Sequence, residues 1–461
     1  MKLFSAPFPA ICPHRQLVYG PQESVWFLLR ACEGTRGGEV PLSGVGRLPL
    51  NGPSALLVRR LDKPPSSLTV GPEGDLWFTE DTYEGSEGAP AIGRLTASGQ
   101  LTQFPTPVEP NPVFPQEGAH QQPGQISAGP ENDLWFTAEG FGTKVLSRIT
   151  PAGVLSQFPP QLVPAGKGET GPKQDEIALG LAEAGNGDLW LVEETEKAIG
   201  LVEPGGAIRQ VPVAEGRFKG VVYQEGSDPI VGTADGGVWF VEHEGFTRLS
   251  ASGAVVRRVL REEEWLGAGR SKTSAGRYFL GSLAATPDGV LWVSQPELGD
   301  ILKRVTSAGG FGELVLCNAK ETPEEMTVGP EGDIWFAARE GNFGRLDVPQ
   351  LTGELERDGT QVQVCGAKAT PQALRASVAC ESLSVSSTCN YGVTVALAGS
   401  PRRVVGVGRF VGRAIREPGS VSVSLRPVVR ALLRRRGRLS LRLTLWSGAQ
   451  VATSRVVVLR R

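Results

Sequence analysis

The sequence predicts an all-β protein: a seven-bladed β-propeller closed by its N-terminal strand, followed by a small β-sandwich. Three observations carry this. A tryptophan recurs seven times in one motif register, at Trp26, Trp77, Trp135, Trp190, Trp239, Trp292 and Trp335, 43 to 58 residues apart. Each interval reads as four short strands separated by turn residues. The charge changes sign near residue 350: residues 1–350 carry 29 Lys+Arg against 44 Asp+Glu, and residues 351–461 carry 18 against 5. A shift of that size marks a domain boundary, so a propeller over 1–350 and a basic domain over 351–461 are expected.

The repeat is plainest in Gly71-Pro-Glu-Gly-Asp-Leu-Trp-Phe-Thr-Glu80, which returns as Gly129-Pro-Glu-Asn-Asp-Leu-Trp-Phe-Thr-Ala138 and Gly329-Pro-Glu-Gly-Asp-Ile-Trp-Phe-Ala-Ala338. A second signature follows, Ile92-Gly-Arg-Leu-Thr-Ala-Ser-Gly-Gln-Leu-Thr-Gln-Phe-Pro105, echoed at 146–159. In the second unit these place strands at 67–70, 76–79, 93–96 and 101–104, with Gly, Pro, Asn and Asp at the turns that need a positive or preset φ. Four antiparallel strands per unit, repeated in a ring, make propeller blades. The seventh unit loses its pattern after Asn342-Phe-Gly-Arg-Leu346, while Lys2-Leu-Phe-Ser-Ala-Pro-Phe-Pro9 resembles a fourth strand. The N-terminus is therefore expected to complete the last blade, leaving no open sheet edge.

The last hundred residues differ in style. Val421-Ser-Val-Ser-Leu425 and Leu439-Ser-Leu-Arg-Leu-Thr-Leu445 alternate as half-buried strands. Between them Pro427 to Gly437 reads as a short helix begun by proline and ended by glycine. An immunoglobulin-like sandwich is expected, with Cys380 and Cys389 able to staple a hairpin. Six cysteines, three of them in this region, favour an oxidising compartment and hence export, although the N-terminal stretch has no apolar run of signal-peptide length.

Together the Gly-Pro-Glu-Gly-Asp-Leu-Trp-Phe-Thr-Glu, Ile-Gly-Arg-Leu-Thr and Phe-Pro-Thr-Pro motifs resemble the virginiamycin B lyase family of seven-bladed propellers, with NHL-repeat and gluconolactonase-type propellers more distant. The resemblance covers residues 1–350. It implies a magnesium ion on the propeller axis and a histidine base, which together open a cyclic depsipeptide at its ester linkage by elimination. It also implies histidines on innermost strands, eleven residues before the blade tryptophan. Here those positions hold Arg15, Ser66, Gly124, Leu179, Asp228, Gly281 and Glu324. His14 stands one residue out of register. The residue four after the last blade's tryptophan, a catalytic glutamate in the family, is Arg339. Loss of the family chemistry is expected.

Loop lengths point to a site without any family. Turns between strands one and two, and three and four, are tight, whereas the connections on the other face are swollen, at 30–45, 80–91, 106–124, 160–176, 213–228 and 260–280. Insertions on one face of a rigid scaffold read as a binding face. There Trp265, Tyr83 and Tyr223 are candidate contact residues. Glu80, Glu193 and Glu242, each three residues after a tryptophan, are candidate ligands for Mg²⁺ or Ca²⁺ on the propeller axis, since both ions seek oxygen. His243 and His120 are candidate bases. The solvated strand-end acid and solvated loop histidine remain the simpler reading of each. The chain has 3 histidines, too few for a multi-histidine zinc site, and no Ser-His-Asp order, phosphate loop or Cys-x-x-Cys motif occurs. A non-catalytic module binding a peptide, glycan or protein is favoured over a metal-assisted lyase or hydrolase. The expected protein is a monomer with no membrane span and no nucleic-acid partner, because no aromatics interleave with the arginines.

Overall fold

The structure is a computed structural model. It describes residues 2–4, 14–29, 43–50, 56–82, 88–110, 118–140, 144–158, 162–163, 173–174, 180–192, 198–212, 221–223, 229–242, 245–260, 278–294, 301–306, 311–315, 323–338, 342–346, 348, 360–382, 388–413, 419–447 and 450–460.

Seven antiparallel four-stranded sheets follow one another along the chain. The second blade runs from its innermost strand outward as Pro65–Val70, Leu76–Glu80, Ala91–Leu95 and Leu101–Pro105. Innermost strands of the seven blades are His14–Gly20, Pro65–Val70, Gln122–Gly129, Gly180–Glu183, Ile230–Gly232, Leu283–Ala285 and Pro323–Val328. Each lies against the next, and the seventh lies against the first, so the ring is closed. Lys2–Phe4 supplies the outer strand of the seventh blade, pairing Lys2 with Arg345 and Phe4 with Phe343. Phe4 is buried and stacks on Trp335 with ring centroids 5.3 Å apart. The closure expected from the sequence is present.

The repeated motif is explained by what its residues touch. All seven register tryptophans are buried. Arg94, opposite Trp77 on the neighbouring strand, lies 5.4 Å from the indole centroid and donates from Nε to Asp75 Oδ2 at 2.7 Å. The same trio forms as Arg148, Trp135 and Asp133, and as Arg345, Trp335 and Asp333. Aspartate two residues before the tryptophan thus serves the blade, neutralising an arginine that gains cation–π attraction from the ring. The fifth blade reaches this end with a shifted residue: Asp235, four before Trp239, accepts from Arg248 at 2.6 Å. Gly93 is needed because a Cβ there would run into the Phe78 ring. The sixth blade inverts that pair, with Val293 opposite Lys303, whose long stem is buried at 1% exposure.

The C-terminal residues form a three-stranded sheet, Thr360–Ala369, Ala373–Ser382 and Gly419–Ser424, and a four-stranded sheet ordered Ser400–Arg413, Thr388–Leu397, Arg438–Ser447 and Gln450–Arg460. One core, including Leu374, Val378, Val393, Val395, Leu441 and Leu443, draws on both sheets and makes a sandwich. The helix is α1, Val428–Arg436, preceded by Pro427 and stopped by Gly437 at φ 67°, a left-handed value that suits glycine. Cys380 and Cys389 do not lie on one hairpin, and their side chains lie outside the described residues. Ala373–Ser382 pairs with Thr360–Ala369 and Gly419–Ser424, whereas Thr388–Leu397 belongs to the other sheet, so the chain crosses between sheets there. Among the described residues no helix is long and apolar enough to cross a membrane.

Candidate functional site

The long-loop face is built on its own small elements. Between the second and third blades Val108–Pro110 pairs with Gly118–His120 as a hairpin. It is pinned to the third blade: Gln121 is buried, donates to Glu109 Oε2 at 3.5 Å and accepts from Gln157 of that blade's outer strand. Val221–Tyr223, before the fifth blade, pairs in parallel with Tyr278–Leu280, before the sixth, tying two connections together across a blade. Both features lie in the swollen connections, where variation on one face was expected.

His120 is half-buried, with Nδ1 2.5 Å from the carbonyl oxygen of Thr106. A carbonyl can only accept, so Nδ1 is the donor in this bond. Thr106 is held in turn by its hydroxyl bond to the Gln121 carbonyl at 2.6 Å. Glu80 is fully buried between the first two blades, and its Oε2 accepts from Gln103 of its own outermost strand at 2.5 Å. Burial pushes the Glu80 carboxyl above the ordinary range, against the opposing pulls of Gln103 and Lys63. Tyr223 lies opposite Leu280, and Glu242 ends its strand opposite Gly245. Tyr83, Glu193, His243, Trp265 and Arg339 lie outside the described residues.

Nearer the axis, the structure shows a relay that sequence reading missed. Four of the innermost strands slip register near their start, between Arg15 and Leu17, Pro65 and Leu68, Pro123 and Ile126, and Pro323 and Glu325. Such a bulge leaves backbone groups outside the ladder. The Thr79 hydroxyl takes the Ser67 N–H and the Thr137 hydroxyl takes the Gln125 N–H, both at 3.0 Å; Ser294 takes that of Ser282 at 2.8 Å. The side chain so positioned then accepts a backbone N–H from the next blade: Ser67 from Ile126 at 3.0 Å, Gln125 from Leu181 at 2.9 Å and Ser282 from Met326 at 3.0 Å. Gln16 does the same for Leu68. A hydroxyl two residues after the tryptophan was the legible signal, present in three of the seven units.

The positions where the resemblance implies histidine lie beside this relay. Ser66 is engaged by Thr79 at 2.8 Å and Asp81 at 2.9 Å. A Cβ at Gly124 would overlap the Thr137 hydroxyl that holds the bulge. Glu324 is buried on the innermost strand of the seventh blade. A magnesium ion takes six ligands, mostly oxygen. Among the described residues no three His, Cys, Asp or Glu side chains converge to hold a metal.

Seven four-stranded blades, closed by an N-terminal strand, define a seven-bladed β-propeller. Residues 4–264 match the virginiamycin B lyase family, and the chain belongs to that family. Among solved structures, it is similar to the catalytically inactive histidine-to-alanine variant of virginiamycin B lyase from Staphylococcus aureus with quinupristin. Identity is 19% and the TM-score 0.50, over 73% of this chain and 95% of that one. It is also similar to a streptogramin B lyase at 20% identity and TM-score 0.49, over 75% of this chain and 96% of that one. At these identities the likeness is one of fold. Comparison with curated protein sequences gives no match.

Proposed function

We propose that this chain is a ligand-binding propeller of the virginiamycin B lyase family, holding a peptide, glycan or protein partner on its long-loop face without the family's histidine-and-magnesium chemistry. The observation that carries this reading is Gly124. At this innermost-strand position, eleven residues before Trp135, the backbone is packed against Thr137 so closely that no side chain fits unless the relay hydroxyl moves. Ser66, at the equivalent place in the second blade, is spent on Thr79 and Asp81. The binding face supplies anchored elements in place of a reaction centre. The Gln121-pinned hairpin presents His120, and Val221–Tyr223 paired with Tyr278–Leu280 ties two further connections together. A rigid scaffold carrying variable loops suits recognition.

The C-terminal sandwich is read as an immunoglobulin-like appendage, and the chain as an exported monomer. A second functional reading, a lyase or hydrolase on rearranged residues, draws on buried Glu324, one of the described positions eleven residues before a blade tryptophan, and on the half-buried imidazole of His120. The deciding experiment incubates the protein with a streptogramin B depsipeptide, with Mg²⁺ or with EDTA. Ring opening is followed by chromatographic retention and fragmentation, because the elimination product is isomeric. Binding without conversion supports the proposal. EDTA-sensitive conversion overturns it in favour of the second reading.

A further inference from the structure

The outer face of the four-stranded C-terminal sheet carries a slot made by one missing side chain. In the row that crosses the sheet, Arg409 lies opposite Gly392, and Gly392 lies opposite Trp446. Alternation sends Val393, Val395, Leu443 and Leu445 into the core, so Gly392, Thr394, Arg442, Thr444 and Trp446 face outward. With glycine between them, Arg409 and Trp446 stand two strand spacings apart, about 10 Å. A Cβ on Gly392 would meet only Trp446 atoms, at 3.8 and 3.9 Å, so the floor of the slot is open.

The walls are fixed. The indole of Trp446 donates from Nε1 to Thr394 Oγ1 at 2.7 Å, which lays the ring along the sheet and spends its one polar group. Arg409 is exposed and donates from Nε to Asn390 Oδ1 at 2.6 Å, leaving the Nη pair of the guanidinium for a carboxylate. Arg442, two rows further along, donates to Ser454 in the row between. Val407 and Val411 on the edge strand are 65% and 64% exposed, which extends the apolar floor beyond the slot. From residue 360 onward the chain has only Glu381 and Glu417 against seventeen Lys and Arg, so the whole module favours an anionic partner.

We infer that this face docks an acidic polysaccharide, with the apolar face of a uronate ring on Trp446 and its carboxylate on Arg409. Charge alone would suit any polyanion. The flat indole beside a glycine floor is what selects a ring with one apolar face and one charged edge. This site is separate from the long-loop face and does not depend on the proposal made for it.

The test measures binding of the full chain to polygalacturonate by calorimetry at physiological salt, with dextran as the neutral counterpart. Saturable binding of polygalacturonate alone is expected. Gly392→Val is the central variant, because a β-branched residue is at home in a strand and fills the floor. It should keep the wild-type unfolding midpoint and lose at least about tenfold in affinity, the worth of roughly 1.4 kcal/mol. Trp446→Ala should lose as much. The variant Arg434→Gln/Arg435→Gln/Arg436→Gln, on α1, should stay within about twofold, as expected for charges remote from the site. The inference is overturned if polygalacturonate does not bind, or if folded Gly392→Val binds as wild type. It is equally overturned if the α1 variant loses binding instead, or if single-stranded DNA or anionic vesicles bind as tightly.

Discussion

Gln125 accepts the backbone N–H of Leu181 at 2.9 Å, across the joint between the third and fourth blades. The Gln125 backbone is itself held by Thr137 of its own blade at 3.0 Å. Blade order around the ring is therefore written in side chains as well as in apolar packing. Gln125→Ala strands the Leu181 N–H in a buried joint, and should cost about 1–3 kcal/mol, the range for an unsatisfied buried donor. Thr137→Ala acts one bond upstream, so the double variant should cost less than the sum of the two singles. Urea unfolding of the four proteins measures this. Additive costs would show that the two bonds do not form one relay.

Gly124→His places a histidine at one of the innermost-strand positions, eleven residues before a blade tryptophan, that the resemblance points to. Because its Cβ would overlap the Thr137 hydroxyl, the substitution should destabilise by about 1–3 kcal/mol, as overpacking does. Adding Thr137→Gly makes room and should recover part of that loss. Neither protein should gain ring-opening activity. Unfolding midpoints and the depsipeptide assay read both outcomes.

Glu80 gives the fold a pH dependence of known sign. Burial raises its carboxyl in the folded chain above the ordinary value of 4.5. Between that value and the folded one, the native state binds more protons than the unfolded state, so stability falls as pH rises through this window. Below it Glu80 is neutral in both states and the penalty vanishes. Glu80→Gln keeps a partner for Gln103 and removes the charge. The variant should match wild type near pH 4 and be more stable near pH 7. A stability difference unchanged from pH 4 to 8 would refute the burial account.

How much could be read from sequence depends on what each residue touches. Trp77, Asp75 and Arg94 satisfy one another within two neighbouring strands, so their spacing returns intact at Trp135 and Trp335 and announces the blade. The partners of Gln125 and Ser67 lie 56 and 59 residues away in the next blade, and the joint admits several polar residues, so no fixed motif marks them. Glu80 illustrates the same limit at the candidate site. Its place three residues after Trp77 sets the strand end that it occupies. That Gln103 reaches it from the outer strand depends on Gly93 standing between, where a larger residue would meet Phe78. The slot at Gly392 escaped sequence reading because a glycine in a strand has no pattern of its own. Its meaning comes from the cross-strand register that puts Arg409 and Trp446 on either side.

The N-terminal closure was legible because Lys2 to Pro9 resembles the fourth-strand motif, and the structure gives it a magnitude. Phe4 is 3% exposed, stacks on Trp335 and packs in one cluster with Leu17, Phe27 and Phe343, so it joins the seventh blade to the first. Phe4→Ala should cost about 3–5 kcal/mol, typical of a buried phenylalanine. Deleting residues 1–4 removes the backbone pairing as well, from Lys2 with Arg345 to Phe4 with Phe343. That exposes a sheet edge able to pair with another chain. The truncated protein should therefore unfold at lower urea and also associate with rising concentration, whereas Phe4→Ala should be less stable but monomeric. Light scattering alongside urea unfolding separates the two effects. If the truncation left both stability and association unchanged, the ring would be held shut by inter-blade packing alone and the strand would be dispensable.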